Sequence, residues 1–424
     1  MRILLLGDYS NVHSTLAEGL RALGHCVLLA SDGDGWKDYP RDVDLARPGS
    51  VGQRSFRQLL HDARYYVRLC RLFLTRFRGF DVVQVINPVF LPLRAERILP
   101  FYRMLRRNNK HVFMGAFGMD HYWVKAGLDC MTFRYSDFNF GKEVRHDVAE
   151  NELFVRDWLD GPKGTLNKVV AADCDGIIAG LYEYWASYSA YLPQDERRKL
   201  CYIPFPIKLQ HDASAKLRGD VTHAGSATAA EACQRAKVRF FVGIQRERNA
   251  YKGTDVMLRA LDRLAADYPE RVEVRKVENV PFAEYKRLLD GSDVILDQLY
   301  SYTPAMNALQ AMSQGLVAVS GAEREYYDLQ EGRYDAFGSP ADAARTDADE
   351  AKTSSASTQS DVPTVERPIV NVKPDEDDVY RQLRWIVEHG DRLPALQQGS
   401  RDFVARYHDH IAVAKQYVRF WQSR

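Results

Sequence analysis

Residues 238–253 read VRFFVGIQRERNAYKG. The stretch opens as an apolar run, stops at Gly243 and continues as a loop that carries Arg246, Arg248 and Lys252. Apolar residues at helical spacing follow at Met257, Leu258, Leu261 and Leu264. A strand that ends in glycine and feeds a helix is how an open α/β sheet offers its backbone to a ligand at the carboxyl edge. Arg and Lys placed there add positive charge that persists at neutral pH and suits a phosphate. The segment therefore predicts a site for a nucleotide diphosphate. The competing reading is a solvated loop, because Arg and Lys are commonly exposed in any case.

The same alternation extends in both directions. Ile3 to Gly7 is a short apolar strand, Leu16, Leu20 and Leu23 recur at helical spacing, Gly24 closes that helix, and residues 26–31 form the next strand. Further strand-like runs fall at 81–87, 111–116, 175–180 and 201–205. A second series follows at 238–243, 272–277, 294–299 and 316–321. Strands alternating with helices indicate a mostly parallel sheet covered on both faces. Two tandem α/β domains fit a chain of 424 residues, given roughly 100–200 residues per domain. The expected layout is a first domain over 1–209, a linker or insert over 210–237, a second domain over 238–400 and a terminal helix over 401–424. Within the second domain, 339–366 has almost no large apolar side chain and reads as a low-complexity insert too polar to offset its ordering entropy.

Charge and cysteine usage narrow the function. The 58 basic and 57 acidic residues leave a net charge of +1, which argues against general nucleic-acid binding. The six cysteines are scattered, with no CxxC, as expected of reduced thiols in a cytoplasmic protein. The opening MRILLLGDYS reads as a first strand and not as a signal peptide. No apolar run approaches the ~18–20 residues needed to span a bilayer. No histidine pair has metal-ligand spacing, so no metal site is expected.

Three motifs occur in a set order. They are the turn Pro204 to Ile207, then Gly243, Arg246, Lys252 and Gly253, then LQAMSQGLVAVSG at 309–321. In this order and spacing they resemble the GT-B glycosyltransferases, and within them the large retaining group that uses nucleotide-diphosphate sugars. Residues 31–45 and 115–129 are similar to a bacterial subgroup that builds surface or capsular polysaccharide. The resemblance covers most of the chain. It implies an α/β GT-B fold, with two doubly wound, Rossmann-like domains facing across a cleft and a last helix that crosses back to the first domain. It also implies metal-independent hexosyl transfer, with retention, to a carbohydrate or lipid-linked acceptor. The donor is a substrate, and no cofactor is implied.

On the donor side the candidates are Gly243, Arg246, Arg248, Lys252, Thr303, Asn307, Gln310 and Glu325. A diphosphate gains charge as the glycosidic bond breaks, and Arg, Lys and helix N–H groups stabilise it. Ser301 or Thr303 is expected to cap a helix with Pro304 in its first turn, freeing the N–H groups of Ala305 to Asn307 for an anion. The family has two glutamates here, eight positions apart, and this chain has Tyr302 and Gln310. Gln310 can still bond ribose hydroxyls, but Tyr302 supplies no carboxylate. An ordinary amphipathic helix explains Leu309 and Met312 equally well. Glu323 and Glu325 follow the last strand of the series, where a carboxylate would meet sugar hydroxyls or simply begin a charged helix.

On the acceptor side, Asp8, Asn11, His13 and Asn87 follow strands of the first domain and share its carboxyl edge with Asp120 and His121. Asp120 or His121 is the candidate to take or orient an acceptor proton, against the plainer reading of a structural loop. Two rivals stand beside glycosyl transfer: a non-catalytic subunit that binds sugar nucleotide, favoured by the missing glutamates, and a sugar-nucleotide epimerase of the same fold. Two basic faces complete the reading, at Arg64, Arg68, Arg71 and Arg78, and at Arg103, Arg106, Arg107 and Lys110. They suit peripheral contact with anionic lipid at the inner face of a membrane, or are solvated faces whose stems cover apolar surface.

Overall fold

The structure, a computed structural model, describes residues 1–48, 56–209, 237–244, 249–278, 282–333 and 362–424. Arg246 and Arg248 lie outside the described residues, as do the linker at 210–237 apart from Lys237 and the insert at 339–366 apart from 362–366. The chain divides into two compact units. One comprises Met1–Phe133, Ala149–Pro206 and His410–Arg424, and the other Arg134–Val148 and Ile207–Asp409.

The first unit runs β1 (Arg2–Leu6), α1 (Val12–Ala22), β2 (Cys26–Ser31), β3 (Val43–Asp44), α2 (Phe56–Thr75), β4 (Val82–Val85), α3 (Ala95–Asn108), β5 (His111–Ala116) and α4 (His121–Leu128). The short strands β6 (Asn139–Phe140) and β7 (Glu143–Val144) pair antiparallel and belong to the other unit. The first unit resumes with α5 (Ala149–Val155), α6 (Pro162–Asp173), β8 (Gly176–Ala179), α7 (Tyr182–Tyr191) and β9 (Leu200–Tyr202). Its seven strands are all parallel, in the order β3-β2-β1-β4-β5-β8-β9. Ile3 to Leu6 and Ile177 to Ala179 are wholly buried, as expected where helices cover both faces of a sheet.

The second unit runs β10 (Val238–Ile244), α8 (Asn249–Lys252), α9 (Thr254–Asp267), β11 (Val272–Glu278), α10 (Phe282–Leu289), β12 (Val294–Leu296), α11 (Met306–Ser313), β13 (Val317–Ser320), α12 (Arg324–Gln330), β14 (Val370–Asn371), α13 (Glu376–Glu388) and α14 (Leu393–Tyr407). Its five strands are parallel, in the order β11-β10-β12-β13-β14. Val238, Phe240 and Val242 of β10 share a core with Met257, Leu261 and Leu264 of α9 and Leu383 and Ile386 of α13. Each such side chain contributes roughly 1.5–3 kcal/mol on burial.

The last helix, α15 (His410–Gln422), packs on α1 within the first unit. A Cβ on Gly19 would sit 2.3 Å from the His410 carbonyl oxygen, so only glycine lets the two backbones approach that closely. Phe420 and Trp421 then lie against Phe113 of β5. The chain re-enters the first unit at His410 and not at the expected 401. The intervening α14 stays in the second unit, where Gly399 abuts the Val365 carbonyl and Phe403 packs on Tyr326 and Tyr327.

Both sheets reverse their strand order at one place, between β1 and β4 and between β10 and β12. Such a switch point opens a crevice at the carboxyl ends of the strands.

Candidate functional site

The second unit's switch point gathers several of the expected donor residues. Gly243 lies near the end of β10, and a Cβ there would fall 2.7 Å from the Tyr285 ring. The tyrosine thus lies directly against the strand end. Its hydroxyl donates to Asn307 Oδ1 at 2.9 Å, and Asn307 Nδ2 donates to Asp297 Oδ1 at 3.3 Å. Asp297 stands just beyond β12. Lys252 Nζ is 4.0 Å from the same carboxylate oxygen, and Asp297 Oδ2 is buried without a hydrogen-bond partner among the described residues.

Lys252 ends α8, and its carbonyl accepts from Leu299 N at 2.9 Å. Gly253 follows at φ 71°, and a Cβ there would meet Leu299 and Tyr300 at 2.8 and 2.9 Å. The turn that delivers Lys252 therefore requires glycine, both for its left-handed backbone and for the close packing. Gly243, Lys252 and Asn307 are brought together. Sequence reasoning missed Asp297 and Tyr285. Asp297 was signalled by its place at the end of the run VILD; Tyr285 gave no signal.

The neighbouring segment differs from expectation. Helix α11 begins at Met306 behind Ala305, which makes no side-chain cap, so neither Ser301 nor Thr303 caps it. The Thr303 carbonyl accepts from Gln298 Nε2 at 3.2 Å, which ties residues 298–303 into a loop of their own ahead of the helix. Gln310 Nε2 donates to Ser313 Oγ at 3.2 Å, within its own helix.

Tyr302 is buried, and its hydroxyl accepts from Arg134 N at 2.7 Å. Burial pushes that phenol up to about 12. The Arg134 guanidinium lies over the Tyr302 ring, 5.0 Å from its centroid, and Tyr135 packs on the same ring. Arg134 donates to Glu323 at 2.9 Å and to both oxygens of Glu325. Glu323 also accepts from Tyr135 at 2.6 Å and from Asn371 at 3.2 Å. The expected donor contact Glu325 is thus paired with Arg134, a residue that sequence reasoning did not single out.

At the first unit's switch point, the loops after β1, β4 and β5 converge. A Cβ on Gly118 would fall 3.1 Å from the Tyr9 ring and 3.8 Å from Asn87 Nδ2. His13 meets Phe117 edge to face. Asp8 accepts from His13 N at 2.9 Å, from Ser14 N at 3.1 Å and from the Ser14 hydroxyl. It therefore satisfies the start of α1, a task Asn11 leaves open by bonding Thr15 Oγ1 instead. Burial nevertheless raises Asp8 to about 6.

His13 Nδ1 lies 2.7 Å from the Gly7 carbonyl. A carbonyl only accepts, so Nδ1 carries the proton and Nε2 is a lone pair. That Nε2 is buried without a partner among the described residues, and burial holds the ring down at about 3. Asn87 accepts from Val89 N at 3.0 Å and donates to the Met119 carbonyl at 3.4 Å.

The two candidate catalytic groups separate. Asp120 is the N-cap of α4: Oδ1 accepts from Trp123 N at 2.9 Å and Oδ2 from the Tyr188 hydroxyl at 2.8 Å. Its side chain is 0% exposed, so it is a structural carboxylate with no oxygen turned to a substrate. Burial raises it to about 6. His121 N donates to Asn167 Oδ1 at 2.9 Å, and its Nδ1 lies 2.9 Å from the Trp158 carbonyl. The same carbonyl argument leaves Nε2 as a lone pair, and burial lowers the ring's pKa, keeping it neutral.

The two basic faces also differ. Arg106 is tied to Asp173 and Asp175, and Lys110 to Asp81, so half of that face is neutralised. Among the described residues no three His, Cys, Asp or Glu side chains gather as metal ligands would, and no helix is long and apolar enough to cross a membrane.

No family model matches the sequence, and no curated protein matches it. Solved structures match in fold, and the class is GT-B: two Rossmann-like units, each with a parallel sheet. Sucrose-phosphate synthase from Thermosynechococcus elongatus superposes with a TM-score of 0.57 at 12% identity, over 100% of this chain and 98% of that one. HepE from Anabaena, in complex with UDP and glucose, gives 0.55 at 11% identity over 100% of both chains. The catalytic domain of starch synthase IV from Arabidopsis thaliana, bound to ADP and acarbose, gives 0.50 at 11% identity over 100% and 98%. At such identities the likeness is one of fold.

Proposed function

We propose that this protein is a glycosyltransferase that takes a sugar from a nucleotide-diphosphate donor bound at the second unit's switch point. The observation that carries the reading is Lys252, delivered by Gly253 to the carboxyl edge of β10 and β12 and held 4.0 Å from Asp297. Without donor, the carboxylate neutralises the ammonium. A diphosphate brings two or more negative charges and would draw Lys252 away from Asp297. The first N–H groups of α11 would add a partial positive charge. Both act most strongly on the leaving diphosphate, whose charge grows as the bond to the sugar breaks. HepE with UDP and starch synthase IV with ADP support a nucleoside diphosphate as the ligand class.

The first unit's switch point would take a carbohydrate or lipid-linked acceptor, with the partly exposed Asn11 among its contacts and the buried His13 and Asn87 shaping the crevice beneath it. His121 is the better candidate for orienting the acceptor hydroxyl, because its neutral Nε2 has no hydrogen-bond partner among the described residues and Asp120 is occupied as a cap. Retention, independence from metal ions and a place in bacterial surface-polysaccharide synthesis on the cytoplasmic side remain part of the proposal. The donor is consumed as substrate and no cofactor takes part.

A second reading has its own support. Tyr302 replaces a carboxylate, and Glu323 and Glu325 are engaged by Arg134. That arrangement favours a subunit that binds the donor without turning it over. Incubation with each donor, alone and with oligosaccharide or lipid-linked acceptors, separates the readings. Nucleotide release with a glycosylated product supports the transferase. Binding without release supports the subunit. An epimerised sugar nucleotide formed from donor alone contradicts both.

A further inference from the structure

Helix α2 carries two apolar faces. One is ordinary core: Tyr65, Leu69 and Phe73 are buried, and Phe73 meets Phe101 of α3 at 4.7 Å between ring centroids. The other points outward. Leu60, Val67 and Leu74 follow one another at seven-residue spacing and are 43%, 66% and 57% exposed, with Leu59 beside them at 66%. Arg64 and Arg71 lie four residues on from Leu60 and Val67, so both stand beside the stripe, and the exposed Arg78 follows three residues past the helix end. None of the three makes an ion pair among the described residues. The helix's one acidic residue, Asp62, is taken by Arg47 at 2.6 Å, and Arg68 turns aside to the Asp44 carbonyl.

Exposing a row of large apolar side chains is unfavourable in water, and scattered single exposures are the norm. A row this regular needs a cover. A partner helix would need two adjacent apolar positions per heptad to form a seam. Here the adjacent positions are the small Ala63 and Cys70, so past Leu59 the row is one large side chain wide. The row spans about 21 Å from Leu60 to Leu74, at ~1.5 Å rise per residue. A single apolar file flanked by unpaired arginines suits a flat, negatively charged surface, where the apolar tips enter the acyl boundary and the guanidinium groups stay among phosphates.

We infer that this outer stripe of α2 docks the protein on an anionic lipid surface. The inference stands independently of the donor site. The test is co-sedimentation of the full chain with vesicles of phosphatidylcholine alone or of phosphatidylcholine with phosphatidylglycerol. The wild type binds the anionic vesicles, and binding weakens as salt rises. Each arginine near such a surface contributes roughly fivefold, so Arg64→Gln, Arg71→Gln and Arg78→Gln together lower partitioning on the order of a hundredfold.

Leu60→Ser, Val67→Ser and Leu74→Ser together lower it at high salt as well. All six positions are exposed, and thermal melts verify that the variants fold. A control with the same change in net charge on and beside α13, Arg381→Gln, Arg384→Gln and Arg392→Gln, retains binding. The inference is overturned if anionic and neutral vesicles bind alike, or if the α2 and α13 arginine sets weaken binding equally. It is also overturned if the serine set disperses a dimer of the chain without changing vesicle binding.

Discussion

Arg134 donates to Glu323 at 2.9 Å across 189 residues of sequence. The same guanidinium pairs with Glu325 and covers the ring of Tyr302. Removing it leaves the largely buried Glu323 carboxylate with only Tyr135 and Asn371 as partners among the described residues. Arg134 itself is half-exposed, which reduces the cost through solvent screening. Arg134→Ala is expected to lower stability by about 1–2 kcal/mol in urea unfolding. Arg134→Lys should recover only part of this, because an ammonium cannot bridge two carboxylates as a planar guanidinium does. No change in midpoint for Arg134→Ala would contradict this account of the cluster.

Asp120 gives a pH signature. Its folded pKa, about 6, lies above the ordinary 3.8. The folded state therefore holds its proton more tightly. The resulting stability is fully present below pH 3.8 and is lost as pH rises through about 6. Asn keeps the cap but does not titrate. Relative to the wild type, Asp120→Asn should be less stable at pH 4 than at pH 7 by roughly 2 kcal/mol, read from paired denaturation curves. An equal difference at both pH values would refute the assignment.

His13 should do the opposite. Its folded pKa, about 3, lies below the ordinary 6.5, so the unfolded chain takes up the proton first. Stability is present above pH 6.5 and drains away as pH falls toward 3. Relative to the wild type, His13→Gln should gain about 3 kcal/mol between pH 7 and pH 4.

Gly321 closes β13 against the loop before α11. A Cβ there would fall 1.6 Å from the Ser301 carbonyl oxygen. Backbone against backbone cannot be relieved by a rotamer change. Gly321→Ala is expected to cost at least about 3 kcal/mol or to prevent folding, measured as the shift in denaturation midpoint. A midpoint near the wild type would mean that the Ser301 loop is not held there.

Much of the fold was legible because buried parallel strands read as plain apolar runs. Ile3 to Leu6 and Phe240 to Val242 are of this kind. The two-residue strand β14 was not, since Val370 and Asn371 carry no pattern. Nor was the assignment of 134–148 to the second unit. That assignment rests on contacts such as Arg145 over the Tyr300 ring at 3.9 Å, which no periodicity announces. The end of α14 was missed because apolar spacing runs on from Phe403 to Ile411 across a break at His408 and Asp409. At the site, Gly243 and Lys252 were legible as a strand end and a cation. Tyr285 was not, because it arrives from another helix. Asp120 was read as a free carboxylate, although an Asp directly before a helix is also a capping signal.

The most direct measurement is calorimetric titration of nucleotide-diphosphate sugars into the wild type and into Lys252→Ala. The account predicts that one donor binds the wild type and that the variant binds it roughly 10- to 100-fold more weakly, the worth of one charge-assisted hydrogen bond. Equal affinity in the two proteins, or no donor bound by the wild type, would contradict a donor site at Lys252.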